Sequence, residues 1–201
     1  MMSFLLVLGI LSPGAHPRLY HTPQDVARAR LNVQRFEWAR KCFRTVCETA
    51  DEWAAKSDDE LRALVPPPHS TFAYGYSGCP ACGADWSWWG QGQVASLEKP
   101  GRVTCPSCKR EFPDADHPDT GTGWHNEADG KTYYFVGCYN AFAAQRITLV
   151  ALPNLTLAYA VTGERKYALA AAVLFYSLAE TYPTSIFGSV DYPRKNNYGR
   201  L

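Results

Sequence analysis

Two cysteine pairs, Cys79-Pro80-Ala81-Cys82 and Cys105-Pro106-Ser107-Cys108, gather the soft metal ligands of this chain. Each is a C-P-x-C knuckle, and 22 residues separate them. Four thiolates from two such knuckles can surround one Zn²⁺ tetrahedrally, with Zn–S distances of about 2.3 Å. Three chemistries compete for the set. A structural Zn(Cys)₄ site is favoured by Gly83, which follows the first knuckle where a backbone with positive φ is useful; Lys109 at the equivalent place is a weaker fit. A redox C-x-x-C is disfavoured because there are two copies, neither between a strand and an expected helix. Structural disulfides within each knuckle would close tiny loops and contribute little chain entropy. The expectation is therefore structural Zn²⁺ on Cys79, Cys82, Cys105 and Cys108. Such a shell leaves no position for water, so the metal is not expected to be catalytic. His117 and His125 lack ligand-like spacing and read as surface or loop histidines.

These ligands must be held by flanking elements. Thr22-Pro23-Gln24-Asp25 is a helix start, with Thr22 as cap and Pro23 in the first turn. Apolar residues then recur at helical spacing from Val26 to Trp53, which predicts one long amphipathic helix from Pro23 to Lys56. A shorter helix is expected over Asp58–Val65, stopped by Pro66-Pro67-Pro68. From His69 to Thr132 the helical period disappears, and four of the six Trp (Trp86, Trp88, Trp89 and Trp124) fall here. Trp86–Trp89, Arg102–Thr104 and Tyr133–Val136 read as short strands. From Cys138 an apolar helix resumes, with a kink expected at Pro153. Thr162-Gly163-Glu164 is a tight turn and Tyr167–Tyr182 a further helix, so the pair forms an αα-hairpin.

The bulk properties exclude some functions. A net charge of +1 gives no global field for nucleic acid. The knuckle region from Cys79 to Asp116 has four cations and five carboxylates, so no phosphate-attracting stripe exists there. Aromatic residues make up 13% of the chain, suited either to a core or to sugar-stacking platforms. Phe4–Leu11 followed by Ser12-Pro13-Gly14-Ala15 reads as a short leader. That suggests a secreted or periplasmic location. The run is too short to span a bilayer, and no other stretch is expected to. Cys42, Cys47 and Cys138 are expected to be small buried apolar residues. Asn154-Leu155-Thr156 is a formal glycosylation sequon expected to lie inside a helix.

The order of motifs resembles the heparinase II/III-like polysaccharide lyases. His16-Pro17-Arg18-Leu19-Tyr20-His21-Thr22 before a capped helix resembles their start. Cys79 to Gly83, Cys105 to Cys108 and Phe112-Pro113 resemble the Cys-rich insertion found in some members. Leu157 to Ala168 is similar to their helix–T-G-E–helix unit, and Tyr182-Pro183 fits the helix end. The resemblance implies a mainly α fold, an incomplete α/α toroid of helical hairpins with an inserted zinc-ribbon-like β module. The implied organisation is a leader over 1–15, a helical segment over 16–68, the insertion over 69–136 and a helical hairpin over 137–201. Further helix pairs and a β-sandwich would follow Leu201.

The implied reaction is β-elimination on a uronic-acid-containing polysaccharide. It needs a carboxylate neutraliser, a base for the C5 proton and an acid for the leaving oxygen. No residue here matches those roles; His125-Asn126 and Asn196-Asn197-Tyr198-Gly199-Arg200 have the right types only. The chain is thus expected to be the amino-terminal portion of such a lyase, inactive alone. It would meet acidic polysaccharide through the complete protein, without nucleic acid as a partner. The competing reading is a non-catalytic carbohydrate-binding or scaffold module using Trp86, Trp88 and Trp89.

Overall fold

The computed structural model of the protein describes residues 21–73, 78–85 and 94–187. The candidate leader, most of the His16–Thr22 motif, Trp86, Trp88, Trp89 and the Asn196–Arg200 cluster lie outside the described residues. The described residues are mainly helical.

Helix α1 (Pro23–Arg35) begins at a capping box. The Thr22 hydroxyl accepts from the Asp25 amide at 3.2 Å, and the Asp25 carboxylate accepts from the Thr22 amide at 2.9 Å. The single helix expected to reach Lys56 is broken at Phe36, whose backbone is extended (φ −114°, ψ 133°). Helix α2 (Glu37–Ala54) starts on the next residue. No Gly or Pro marks this break. The change of direction lets α1 reach the end of a distant helix, where Arg30 donates to the carbonyls of Ala160 and Val161, both at 2.8 Å. Those carbonyls belong to a helix end and need donors from outside it. Helix α3 (Asp58–Leu64) follows a second capping box, Ser57 with Glu60.

The middle of the chain holds short strands. Strand β1 (Thr71–Phe72) pairs in parallel with β6 (Ile186–Phe187). Strands β2 (Val103–Thr104) and β3 (Glu111–Phe112) are antiparallel, with Val103 opposite Phe112. Strands β4 (Trp124–Asn126) and β5 (Lys131–Tyr133) form a hairpin, with Trp124 opposite Tyr133. The strand expected over Tyr133–Val136 therefore ends at Tyr133, and a helix begins at Phe135.

That helix, α4, runs unbroken through Phe135–Thr162 for 28 residues. It starts earlier than expected and does not stop at Pro153. A π-helical stretch, Arg146–Ala151, precedes the proline, and the Leu152 amide reaches back five residues to the Ile147 carbonyl. Proline lacks an N–H and its ring crowds the preceding turn. The wider π turn takes up that conflict inside the helix. Asn154, the sequon residue, lies in the following turn and donates to the Val150 carbonyl at 2.7 Å. By length and composition α4 is apolar enough to cross a membrane, which corrects the expectation that no such stretch exists. In this fold 61% of its apolar window is buried. Gly163 ends α4 in the left-handed conformation (φ +77°), and α5 (Arg165–Thr181) returns beside it.

Among the described residues two larger cores adjoin, beside a small cluster of Phe72, Ala141 and Ala144. One joins α2, α3, the carboxy-terminal half of α4 and α5 through Trp53, Leu61, Ile147, Leu155, Tyr167 and Leu174. Ile147, Leu155 and Leu174 are fully buried, each contributing about 1.5–3 kcal/mol. The other joins the cysteine region to the first half of α4 through Cys79, Val103, Cys105, Phe112, Tyr133, Phe135 and Cys138. Leu97 packs against both.

Candidate metal centre

The two knuckles adopt the same backbone pattern. In the first, the Gly83 amide donates to the Cys79 carbonyl at 2.9 Å and the Cys79 amide to the Ala84 carbonyl at 2.8 Å. In the second, the Lys109 amide donates to the Cys105 carbonyl and the Cys105 amide to the Arg110 carbonyl, both at 2.9 Å. The fifth residue of each knuckle is left-handed: Gly83 at φ +71° and Lys109 at φ +63°. Glycine meets that demand without strain. Lysine does not, yet the geometry holds, with the Lys109 ammonium donating to the Pro106 carbonyl at 2.6 Å. The poorer sequence match at Lys109 thus conceals an equivalent turn.

Repeating this turn twice brings four sulfurs together. The Sγ atoms of Cys79, Cys82, Cys105 and Cys108 all lie within 4.8 Å of one another. Cys79 and Cys108 are 3.8 Å apart, and Cys82 and Cys105 are 3.7 Å apart. A tetrahedron of sulfurs, each about 2.3 Å from its centre, has edges of about 3.8 Å. The set therefore fits one four-coordinate metal ion. All four thiols are free, so neither knuckle is closed as a disulfide. The second spans the turn between β2 and β3, not the start of a helix as in a thioredoxin-like site.

The first cysteine of each knuckle is buried and the second exposed. Cys79 and Cys105 are part of the core that reaches α4, while Cys82 and Cys108 face outward. Burial pushes the Cys79 thiol up to about 12. Burial also opposes a thiolate on Cys105, but the amides of Cys108 and Ser107 and the thiols of Cys79 and Cys108 outweigh it and bring Cys105 down to about 6. Cys105 thus ionises more readily than an ordinary thiol, while burial holds Cys79 protonated. A divalent cation would compensate the buried charge and displace the proton.

Two carboxylates that sequence alone did not single out, Asp119 and Asp114, brace the site together with His117. Asp119 is buried and accepts from the amides of Gly121 (2.8 Å), Gly123 (2.9 Å) and Val136 (2.9 Å). It ties the loop after β3 to the first turn of α4. Asp119-x-Gly121 is a turn signal that could have flagged the local bonds; the bond to Val136 depends on tertiary folding. Asp114 accepts from Arg110 at 2.7 Å and lies 2.7 Å from Nδ1 of His117. Burial raises the Asp114 pKa, but the bonds from His117 and Arg110 prevail and hold it at about 2. His117 lies in the loop after β3, within the surface-or-loop expectation, but is half-buried: its ring packs edge-on against Phe112 (5.2 Å) and Trp124 (4.8 Å). These rings form a second layer behind the knuckles.

The remaining candidates are scattered. Asp114, Asp116 and His117 also sit close enough to contact one cation, but Arg110 already bridges the two carboxylates. His125 is exposed and 3.2 Å from the Thr132 hydroxyl, and Asn126 accepts from the Ala128 amide. Of the three single cysteines only Cys138 is buried as expected, its thiol pushed up to about 12 by burial. Cys42 is exposed and Cys47 half-buried, because the core face of α2 runs through Ala39, Ala50 and Trp53. No family model, no curated protein and no solved structure matches the chain.

Proposed function

We propose that this chain is the helical amino-terminal portion of a heparinase II/III-like polysaccharide lyase, stiffened by a structural Zn²⁺. The observation that carries the reading is the convergence of four free sulfurs at 3.7–3.8 Å. Zinc suits them because soft thiolates and tetrahedral closure are its preferred structural setting. The ion holds a ribbon-like insertion, Cys79, Cys82, Cys105 and Cys108 being its ligands, against α4. Its role is support, since a closed sulfur shell offers no place for substrate or water.

Two further observations support the lyase setting. The motif order runs from C-P-x-C-G through C-P-x-C and F-P to the T-G-E turn between α4 and α5. The outer faces of that hairpin leave Leu149, Leu169, Phe175, Tyr176 and Tyr182 exposed. An apolar groove of about 760 Å³ between α4 and α5 is lined by Leu152, Pro153, Phe175 and Leu178. Such faces suit additional helix pairs of an α/α toroid. In this reading acidic polysaccharide meets the complete protein, outside the cytoplasm.

The test has two arms. Elemental analysis of the purified chain is expected to give one zinc per molecule; its absence after zinc-supplemented expression sinks the metal assignment. Incubation with several uronate polymers, followed by absorbance of the unsaturated product, is expected to show no turnover. Turnover by this chain alone would sink the assignment as an inactive portion.

A further inference from the structure

The α1–α2 elbow exposes a set of residues that the metal centre and its core do not use. Trp38 is 63% exposed, Phe36 47% and Leu31 46%. The rings of Phe36 and Trp38 stack on one another with centroids 6.2 Å apart and planes 21° apart. The stack therefore forms one apolar knob at the break between two helices. Leu31 and Arg35 share a face of α1 by their four-residue spacing, and Trp38 and Lys41 share one of α2.

Charge is concentrated in the same place. Between Val26 and Cys47 the chain carries six cations and one carboxylate, Glu37. Arg28 pairs with Asp25, Arg30 donates to the α4 carbonyls and Arg40 to the Gln34 carbonyl. Arg35, Lys41 and Arg44 are exposed and make no ion pair among the described residues. The whole chain carries only +1, so this excess is local.

The shape selects the partner. The knob lies at a junction of helix ends, away from the apolar groove between α4 and α5. An extended polymer or peptide calls for a cleft with fixed polar partners. A flat anionic phase calls for projecting aromatic rings flanked by cations. We propose that the α1–α2 elbow binds the surface of an anionic lipid bilayer. Phe36 and Trp38 enter the headgroup region while Arg35, Lys41 and Arg44 pair with lipid phosphates and carboxylates. This contact is peripheral and does not depend on the lyase reading.

Co-sedimentation of the full chain with large vesicles tests it. The vesicles are phosphatidylcholine alone, or two parts phosphatidylcholine with one part phosphatidylserine. The chain is expected to pellet with the mixed vesicles at low salt, to be released by high salt, and to stay in solution with neutral ones. Arg35→Gln and Lys41→Gln should each weaken binding by about fivefold. Trp38→Ala with Phe36→Ala should weaken it by about tenfold or more. Circular dichroism of these exposed variants should match the parent. Failure to pellet with anionic vesicles overturns the proposal. So does binding that ignores salt and all four substitutions. Capture by a soluble polyuronate without vesicle binding also overturns it, and would assign the elbow to an acidic polymer.

Discussion

Cys105 and Cys42 show how burial separates two chemically identical side chains. Cys105 is fully buried at the meeting point of the knuckles, whereas Cys42 lies on the solvent side of α2. Cys105→Ser removes one of four sulfurs and is expected to abolish stoichiometric metal binding and lower the unfolding temperature. Cys42→Ser should leave both unchanged. Protons compete with metal for the same sulfurs, so affinity should fall as the pH drops, and more steeply below about 6, where Cys105 is protonated as well as Cys79. Metal release into a chromogenic chelator during acid titration measures this directly.

A carboxylate next to the site makes a second prediction with a definite sign. The Asp114 pKa falls from 3.8 to about 2 in the folded protein. Its contribution to stability is therefore present above the unfolded value and lost as the pH falls from 3.8 toward 2. Denaturant titrations across that window should show a steeper decline for the parent than for Asp114→Asn. Equal slopes would mean that the His117 and Arg110 bonds do not persist in solution.

Among the elements, α4 depends on contacts distant in sequence at both ends. Asp119 accepts from Val136 in its first turn, and Arg30 donates to Ala160 and Val161 in its last. Asp119→Ala would leave three amides without their acceptor in a partly buried setting. The expected cost is about 2–4 kcal/mol in equilibrium unfolding, given that one unsatisfied buried polar group costs about 1–3 kcal/mol. A cost under about 0.5 kcal/mol would show that water replaces the carboxylate. The middle of α4 carries its own accommodation, the π turn ahead of Pro153, which keeps the helix continuous where proline often ends one.

At the scale of the molecule, the four-cysteine cluster and α4 share one core. Cys79 and Cys105 pack in the same cluster as Phe135, Cys138, Tyr139 and Ala143. Removing the metal should therefore loosen more than the knuckles. Hydrogen exchange after treatment with a strong chelator should show protection lost first over residues 94–144. The core around Ile147, Leu155 and Leu174 should keep its protection longer. Simultaneous loss everywhere would indicate one cooperative unit, and no change would mean the sulfurs contribute nothing to the fold.

Local signals were enough where the chemistry is local. Thr22 with Asp25 and Ser57 with Glu60 start helices because each cap and its partner are three residues apart. The turn at Gly163 and the two repeated knuckles are likewise complete within a few residues, so their spacing marked the four sulfurs that the fold brings together. Long-range contacts decided the rest. Phe36 breaks a regular apolar period because α1 must reach the far end of α4. The β1–β6 pairing joins segments from opposite parts of the chain. Asp119 finds its third donor only once α4 has docked. Periodicity records which face of a segment avoids water, but not which distant atoms will supply its missing hydrogen bonds, and those atoms set the breaks and braces of this structure.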